Sequence, residues 1–248
     1  MAAQATRPVA LVTGAARRIG AVIARTLHAA GYDLALHYRH SDDAMRALCA
    51  ELEAARAGST LALAAELADV AQLSALVEAA VARYGRLDAL VNNASAYYAT
   101  PFGEGSAQQW DELFAVNARA PFLLAQAAAP HLRATRGAIV NLADIYGERP
   151  LPGHAIYSMS KAALVMATRA LAGELGPEVR VNAVAPGNVL WSTNPVKAET
   201  RATVEQRTAL GRQGTPQDVA DAVLYLLRDA HYCSGAVLPV DGGRLLHI

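Results

Sequence analysis

Residues 13–20 read Thr-Gly-Ala-Ala-Arg-Arg-Ile-Gly, TGAARRIG, between the apolar run VALV (9–12) and an alanine-rich segment of helical period. Gly14 can take a sharp turn, Gly20 lets the following helix pack closely, and the first amides of that helix point at an anion. A strand, such a turn and a helix form either a phosphate-binding unit or a structural turn with the same glycines. The spacing departs from GxGxxG, and arginine stands where glycine is expected.

Working outward, short apolar runs alternate with longer helical patterns. VALVT, DLALHY, STLALAAE, LDALVNN, GAIVNLA, VRVNAVAP and GAVLPVD imply seven strands. Helical period runs over about Arg18 to Ala30, Asp42 to Arg56, Ala71 to Arg83, Gln108 to Leu132, Tyr157 to Leu175 and Pro216 to Leu227. This order predicts one α/β domain over 1–248, a doubly wound parallel sheet with helices on both faces. Ligands of such sheets bind beyond the carboxyl ends of the strands. Residues 1–7 read as a loose end, and 188–215 as a long connection of the kind that forms a binding loop.

Composition narrows the function classes. Twenty-two Lys and Arg balance 22 Asp and Glu, which leaves no basic surplus for a nucleic-acid backbone. There is no secretory pattern and no apolar run of about 18 residues, so a soluble cytoplasmic protein with no membrane partner is expected. Cys49 and Cys233 lack metal-ligand spacing and read as idle thiols; no metal site is expected.

At the end of the second strand, His37-Tyr38-Arg39-His40-Ser41 carries no acid to hold a ribose diol. Arg39 suits a 2′-phosphate and Ser41 could add a hydroxyl, which favours NADPH over NADH. Arg39 also reads as a solvated loop residue, and Ser41 as the cap of the helix opening Asp42-Asp43. Further on, Tyr157-Ser158-Met159-Ser160-Lys161 places a phenol and an ammonium four residues apart on one helix face. An adjacent cation can make a phenol a working acid near neutral pH. Company raises the signal: Asn92-Asn93-Ala94, Asn117 in AVNARAPF, and Pro186-Gly187.

With TGxxxxxG, NNA, the helical Asn, YxxxK, PG and Asp241-Gly242-Gly243 in one register, the chain resembles the short-chain dehydrogenase/reductase family over essentially its whole length. The resemblance implies a Rossmann-type fold and hydride transfer from a nicotinamide nucleotide. Tyr157 would be the acid, Lys161 would lower its pKa and hold the nicotinamide ribose, and Asn117 would support a proton-relay water and Lys161. Cofactor contacts would come from Gly14, Arg17, Arg18, Ile19 and Gly20 at the turn, from His37 to Ser41, and from Glu66 and Leu67. Asn93, Ala94, Ser95, Pro186 and Gly187 would complete them.

Three departures from the general pattern, Arg18 for Gly, Ser95 for Gly and Asp144 for Ser, together with the LHYRHS strand end, resemble the pteridine reductase subgroup. That subgroup includes bacterial dihydromonapterin reductases. The resemblance implies that Arg18 touches both the pyrophosphate and a pterin, that Tyr97 stacks the pterin, and that Asp144 works beside Tyr157 on a ring nitrogen. Ser95 and Asn188 would also line the substrate position. Plainer readings exist: Asp144 as a strand-end cap, Arg18 as a helix-surface residue, and Tyr97 and Tyr98 as loop aromatics. Within the subgroup the chain itself departs at His154, where a Tyr can line the site, at the order of Arg39 and His40, and at Glu66, in place of an Asp that contacts adenine. Trp110 and Phe114 read as helix packing. The alanine-rich helices around 108–132 and 157–175 would pair between subunits of a homotetramer.

Overall fold

The computed structural model describes residues 7–190 and 198–247. Strands β1 (Val9–Val12), β2 (Asp33–Tyr38), β3 (Thr60–Ala64), β4 (Ala89–Asn92), β5 (Ala138–Leu142), β6 (Arg180–Pro186) and β7 (Val237–Val240) form one sheet in the order β3-β2-β1-β4-β5-β6-β7. Every pairing is parallel, with register pairs such as Leu11↔Ala35 and Leu11↔Leu90. The strand order reverses between β1 and β4, which opens the ligand crevice at their carboxyl ends.

Alternation along each strand divides the core into two layers. Ala10, Val12, Leu34, Leu36, Val91 and Val140 pack under α1 (Arg18–Ala29), α2 (Asp42–Ala55) and α8 (Pro216–Arg228). Val9, Leu11, Leu90, Ile139 and Val181 pack under α3 (Leu73–Tyr84), α5 (Ala120–Thr135) and α6 (Ala155–Leu175). The doubly wound single domain expected from the sequence is the fold observed.

Two helical expectations need correction. The helix expected over 108–132 is α4 (Ala107–Phe114), a π-helical turn (Ala115–Arg119) and α5. Pro121 explains the break: it has no N–H to close the α-helical bond to the carbonyl of Asn117. The long connection 188–215 contains α7 (Ala198–Gln206), a segment without an apolar stripe and hence without a periodic signal. The loose end expected over 1–7 lies outside the described residues except for Arg7. Among the described residues no helix is long and apolar enough to cross a membrane. Cys49 and Cys233 are free and partly buried.

Candidate active site

The turn after β1 is held from two sides. The Thr13 hydroxyl accepts from the amides of Asn93 and Ala94, both at 3.0 Å, while Asn93 Nδ2 donates to the carbonyls of Thr13 (2.8 Å) and Gly14 (3.0 Å). From β2, the Ala15 amide donates to the His37 carbonyl (2.8 Å) and the Gly14 amide to His37 Nδ1 (3.1 Å). A Cβ at Gly14 would meet Ala94 Cα at 2.9 Å, and one at Gly20 would meet the Gly14 carbonyl at 2.1 Å. Only glycine fits this cradle.

Arg18 has φ +54°, in the left-handed region that favours glycine. Arginine is therefore retained against a backbone preference, with its side chain exposed at the groove. This groove, of about 930 Å³, is lined by the turn from Gly14 to Gly20, by residues 37–41, by Glu66 and Leu67, and by Asn93 to Tyr98. The N-terminus of α1 and three arginines, Arg17, Arg18 and Arg39, line it and offer donors of the kind a dinucleotide's phosphates require.

At the far end of the groove, Arg39 Nη1 lies 3.4 Å from Glu66 Oε2. Glu66 Oε1 accepts from the Ala68 amide at 3.1 Å, so the longer side chain folds back on its own loop. Ser41 occupies the N-cap position of α2 but makes no side-chain cap bond, contrary to the capping reading, and the residue lines the groove. Tyr38 is turned away to Asp42 (3.2 Å). His40 is exposed at the groove edge and Leu67 is buried in its wall.

The reactive cluster sits at the ends of β4 and β5 and on α6. Tyr157 donates to Asp144 Oδ2 at 2.7 Å, and Asp144 Oδ1 accepts from the Tyr146 amide at 2.9 Å. Asp144 thus caps a short turn and binds the phenol at once. Burial is the main force on both groups: it raises Asp144 above the usual carboxylate range, and with the Asp144 charge it pushes Tyr157 well above the ordinary phenol value. The expectation that Lys161 lowers Tyr157 is corrected here. Lys161 Nζ donates to the Leu142 carbonyl (2.8 Å) and lies 5.8 Å from the Tyr157 ring centre, so the nearer Asp144 dominates. Burial brings Lys161 itself down to about 8.

Asn117, fully buried in the π-helical turn, donates to the Ala96 carbonyl (2.9 Å) and to Ser160 Oγ (3.0 Å), and accepts from the Ala96 amide (2.9 Å) and Ser95 Oγ (3.1 Å). Its side chain braces the loop after β4. Tyr97 is half-exposed, stacked on His154 at 5.0 Å and 13°, with its ring edge-on to Tyr157 at 4.8 Å and 82°. Tyr98 instead bonds Glu112 (3.0 Å).

Not every expected residue joins this cluster. Asn188 lines a separate hollow of about 420 Å³ with Val189, Arg212 and Asp241, and its Oδ1 accepts from Gln213. Gly187 works by size, since a Cβ there would meet Asp241 Cβ at 2.7 Å. Trp110 and Phe114 stack on each other at 4.5 Å. Thr13, Ser160 and Tyr146 were passed over in the sequence; the signal for the first two was their place beside Gly14 and Lys161, while Tyr146 had none. Among the described residues no cluster of His, Cys, Asp and Glu is placed to hold a metal.

Comparison with known proteins agrees with this geometry. Residues 14–244 match a family model described as enoyl-(acyl carrier protein) reductase. Pteridine reductase 1 of Leishmania tarentolae is 37% identical over 99% of this chain and 99% of its own. A protein assigned as ketoacyl reductase 2 of the granaticin polyketide synthase of Streptomyces violaceoruber is 40% identical, covering 96% of each chain. The structure of a Serratia marcescens short-chain dehydrogenase/reductase double mutant superposes with a TM-score of 0.90 at 38% identity, covering 96% of this chain and 98% of that one. By fold, site and full-length relatives together, this chain belongs to the short-chain dehydrogenase/reductase family of oxidoreductases.

Proposed function

We propose that the protein is an NADPH-dependent reductase of a dihydropterin, working from the Asp144–Tyr157 pair. The observation that carries this reading is the 2.7 Å bond from Tyr157 to a carboxylate, under an aromatic wall formed by Tyr97 and His154. A carbonyl substrate needs one donor at its oxygen. A flat heterocycle with ring nitrogens suits a coupled acid pair and a face on which to stack.

The groove fits a nicotinamide dinucleotide: a Cβ would fill the turn, and Arg39 and Ser41 offer a cation and a hydroxyl where a 2′-phosphate would lie. When bound, this cofactor supplies the hydride. Gly14, Arg17, Ile19 and Gly20 would hold its pyrophosphate, Glu66 and Leu67 its adenine, and Asn93, Ala94, Pro186 and Gly187 its nicotinamide half. Tyr157 and Asp144 hold the proton destined for the substrate, at the phenolic oxygen or Oδ2; strongly coupled groups share it. Lys161 would hold the ribose and is mostly charged below its value of about 8. Arg18 can bond phosphate oxygens and lay its planar face on a pterin, which a lysine cannot do. Ser95 and Asn117 keep the loop that carries Tyr97 in place.

The ketoacyl reductase relative, at 40% identity, supports a second reading, reduction of a ketoacyl thioester. NADPH oxidation with dihydrobiopterin, dihydromonapterin and dihydrofolate, run beside ketoacyl thioesters and simple ketones, separates the two. Turnover with pterins is expected. Turnover confined to carbonyls would favour the second reading, and none with any substrate would leave a non-catalytic nucleotide binder. We also infer a homotetramer, because Phe122 on α5 and Met159 and Met166 on α6 stay 44%, 42% and 60% exposed. Light scattering should return the mass of four chains.

A further inference from the structure

We propose that His37 is the positioning residue of the cofactor turn, and that cofactor affinity falls in acid because only its neutral Nε2–H form can hold Gly14. The proposal rests on the dinucleotide reading of the groove. It concerns a side chain that works behind the turn, through Gly14, and has no need to touch the cofactor.

The geometry fixes the tautomer. Gly14 N–H donates to Nδ1 at 3.1 Å, so Nδ1 must offer its lone pair. The ring proton is then on Nε2, which donates to the Ala65 carbonyl at 3.1 Å. His37 is 2% exposed, and its own carbonyl accepts from Ala15 at 2.8 Å. One residue therefore joins β1, β2 and the end of β3 at the point where the turn begins. Protonation would set an N–H of the ring against the N–H of Gly14, with the ring itself shut away from water. The left-handed turn at Gly14, φ +63°, would lose its anchor from β2.

Among surrounding charges, Glu66 at the end of β3 acts on the ring and favours its cation, but it is itself held by Arg39 beyond β2. Tyr38 beside His37 is engaged with Asp42. The facing turn from Thr13 to Ala16 brings no titratable side chain, and Arg17 and Arg18 beyond it are exposed. Burial outweighs Glu66 and sets the imidazole below its ordinary range. If the bound form requires neutral His37, affinity is complete at neutral pH and falls as pH drops through the free protein's imidazole pKa.

Calorimetric titration of NADPH between pH 5 and 8 tests this with wild type, His37→Asn and His37→Gln. The Asn oxygen falls where Nδ1 was and does not titrate; the Gln amide reaches toward Ala65 and leaves Gly14 without an acceptor. His37→Asn should bind within about threefold of wild type at pH 8 and keep its advantage in acid. His37→Gln should bind about tenfold more weakly throughout, and wild type should fall toward it as pH drops. Titration of the 2′-phosphate is common to all three and cancels. Parallel pH profiles for wild type and His37→Asn, or wild-type affinity in His37→Gln, would overturn the proposal. Nitrogen-15 spectra of wild type give a second reading independent of any variant: an Nδ1–H tautomer would overturn it as well. If wild type binds no NADPH, the cofactor reading fails and this proposal with it, whereas binding indifferent to His37 overturns the proposal alone.

Discussion

Tyr157 donates a hydrogen bond to Asp144 at 2.7 Å; burial raises both groups above their ordinary pKa, and the Asp144 charge raises Tyr157 further, while the phenol's bond opposes the rise of Asp144. The pair is a proton store that costs stability when it ionises. Asp144 binds its proton more tightly folded than unfolded. Its contribution is therefore neutral below the ordinary carboxylate pKa and turns unfavourable as pH rises through the raised folded value. Asp144→Asn should accordingly melt higher than wild type at pH 8, with the gain vanishing toward pH 4, while pterin turnover collapses. Equal melting temperatures across that range would show that the carboxylate is not strained. Tyr157→Phe keeps the ring packing and should lower kcat by roughly 10²–10⁴ with NADPH binding intact, as measured by single-turnover and fluorescence titration.

Lys161 sets the alkaline limit. Its ammonium is fully buried, bonded to the Leu142 carbonyl, and drops its proton at about 8. Below that value the charge can face a ribose; above it, that support is lost. The profile of kcat/KM should bend downward near pH 8. Lys161→Met should remove turnover yet raise the melting temperature at pH 7, because a buried charge with a lowered pKa opposes folding wherever it stays protonated. A variant that melts lower than wild type at pH 7 would contradict this account of Lys161.

The Arg39–Glu66 ion pair is exposed, so it adds little to stability. Its consequence lies in cofactor choice. Arg39→Ala should raise the NADPH Kd about tenfold or more and leave NADH nearly unchanged, since only NADPH carries the phosphate that a guanidinium reads. Glu66→Gln removes a competing carboxylate from Arg39 and should strengthen NADPH binding severalfold. Equal shifts for both cofactors in Arg39→Ala would show that Arg39 does not read the phosphate.

How much of this was legible depends on whether the signal is local. VALV, a glycine turn and a helix are neighbours in sequence, and alternation of apolar runs with helical period led to the doubly wound sheet without any long-range information. YxxxK is equally local, because four residues on a helix share a face. Pairings across the sheet were not legible: Glu66 is 27 residues from Arg39, and His37 is 23 from Gly14. The direction of the Tyr157 shift was missed for the same reason, since it is set by Asp144 from another strand end more than by the lysine on its own helix. Asn117 was recognisable as a site residue, but Pro121 had to be read as a helix defect before the π-helical turn could be expected.

Arg18 is where backbone and function conflict most openly. Its φ of +54° disfavours every residue with a Cβ, by about 1–2 kcal/mol, yet the position carries arginine. If the side chain holds both a phosphate and a pterin, bound ligands offset part of that cost. Truncation separates the two contributions. Arg18→Ala and Arg18→Gly both delete the guanidinium, but only glycine releases the left-handed strain, so the Gly variant should be about 1 kcal/mol more stable than the Ala variant. The usual helical order is the reverse, with Ala above Gly by about the same amount, which makes the sign of the difference decisive. Both variants, saturated with NADPH, should then bind a dihydropterin or antifolate more weakly, and Arg18→Lys should lose part of that affinity while keeping most of its NADPH binding. Calorimetry on the binary complexes measures this. Unchanged pterin affinity in Arg18→Gly would reduce Arg18 to a phosphate ligand and remove the main support for preferring a pterin over a ketoacyl substrate, even if the stability order comes out as expected.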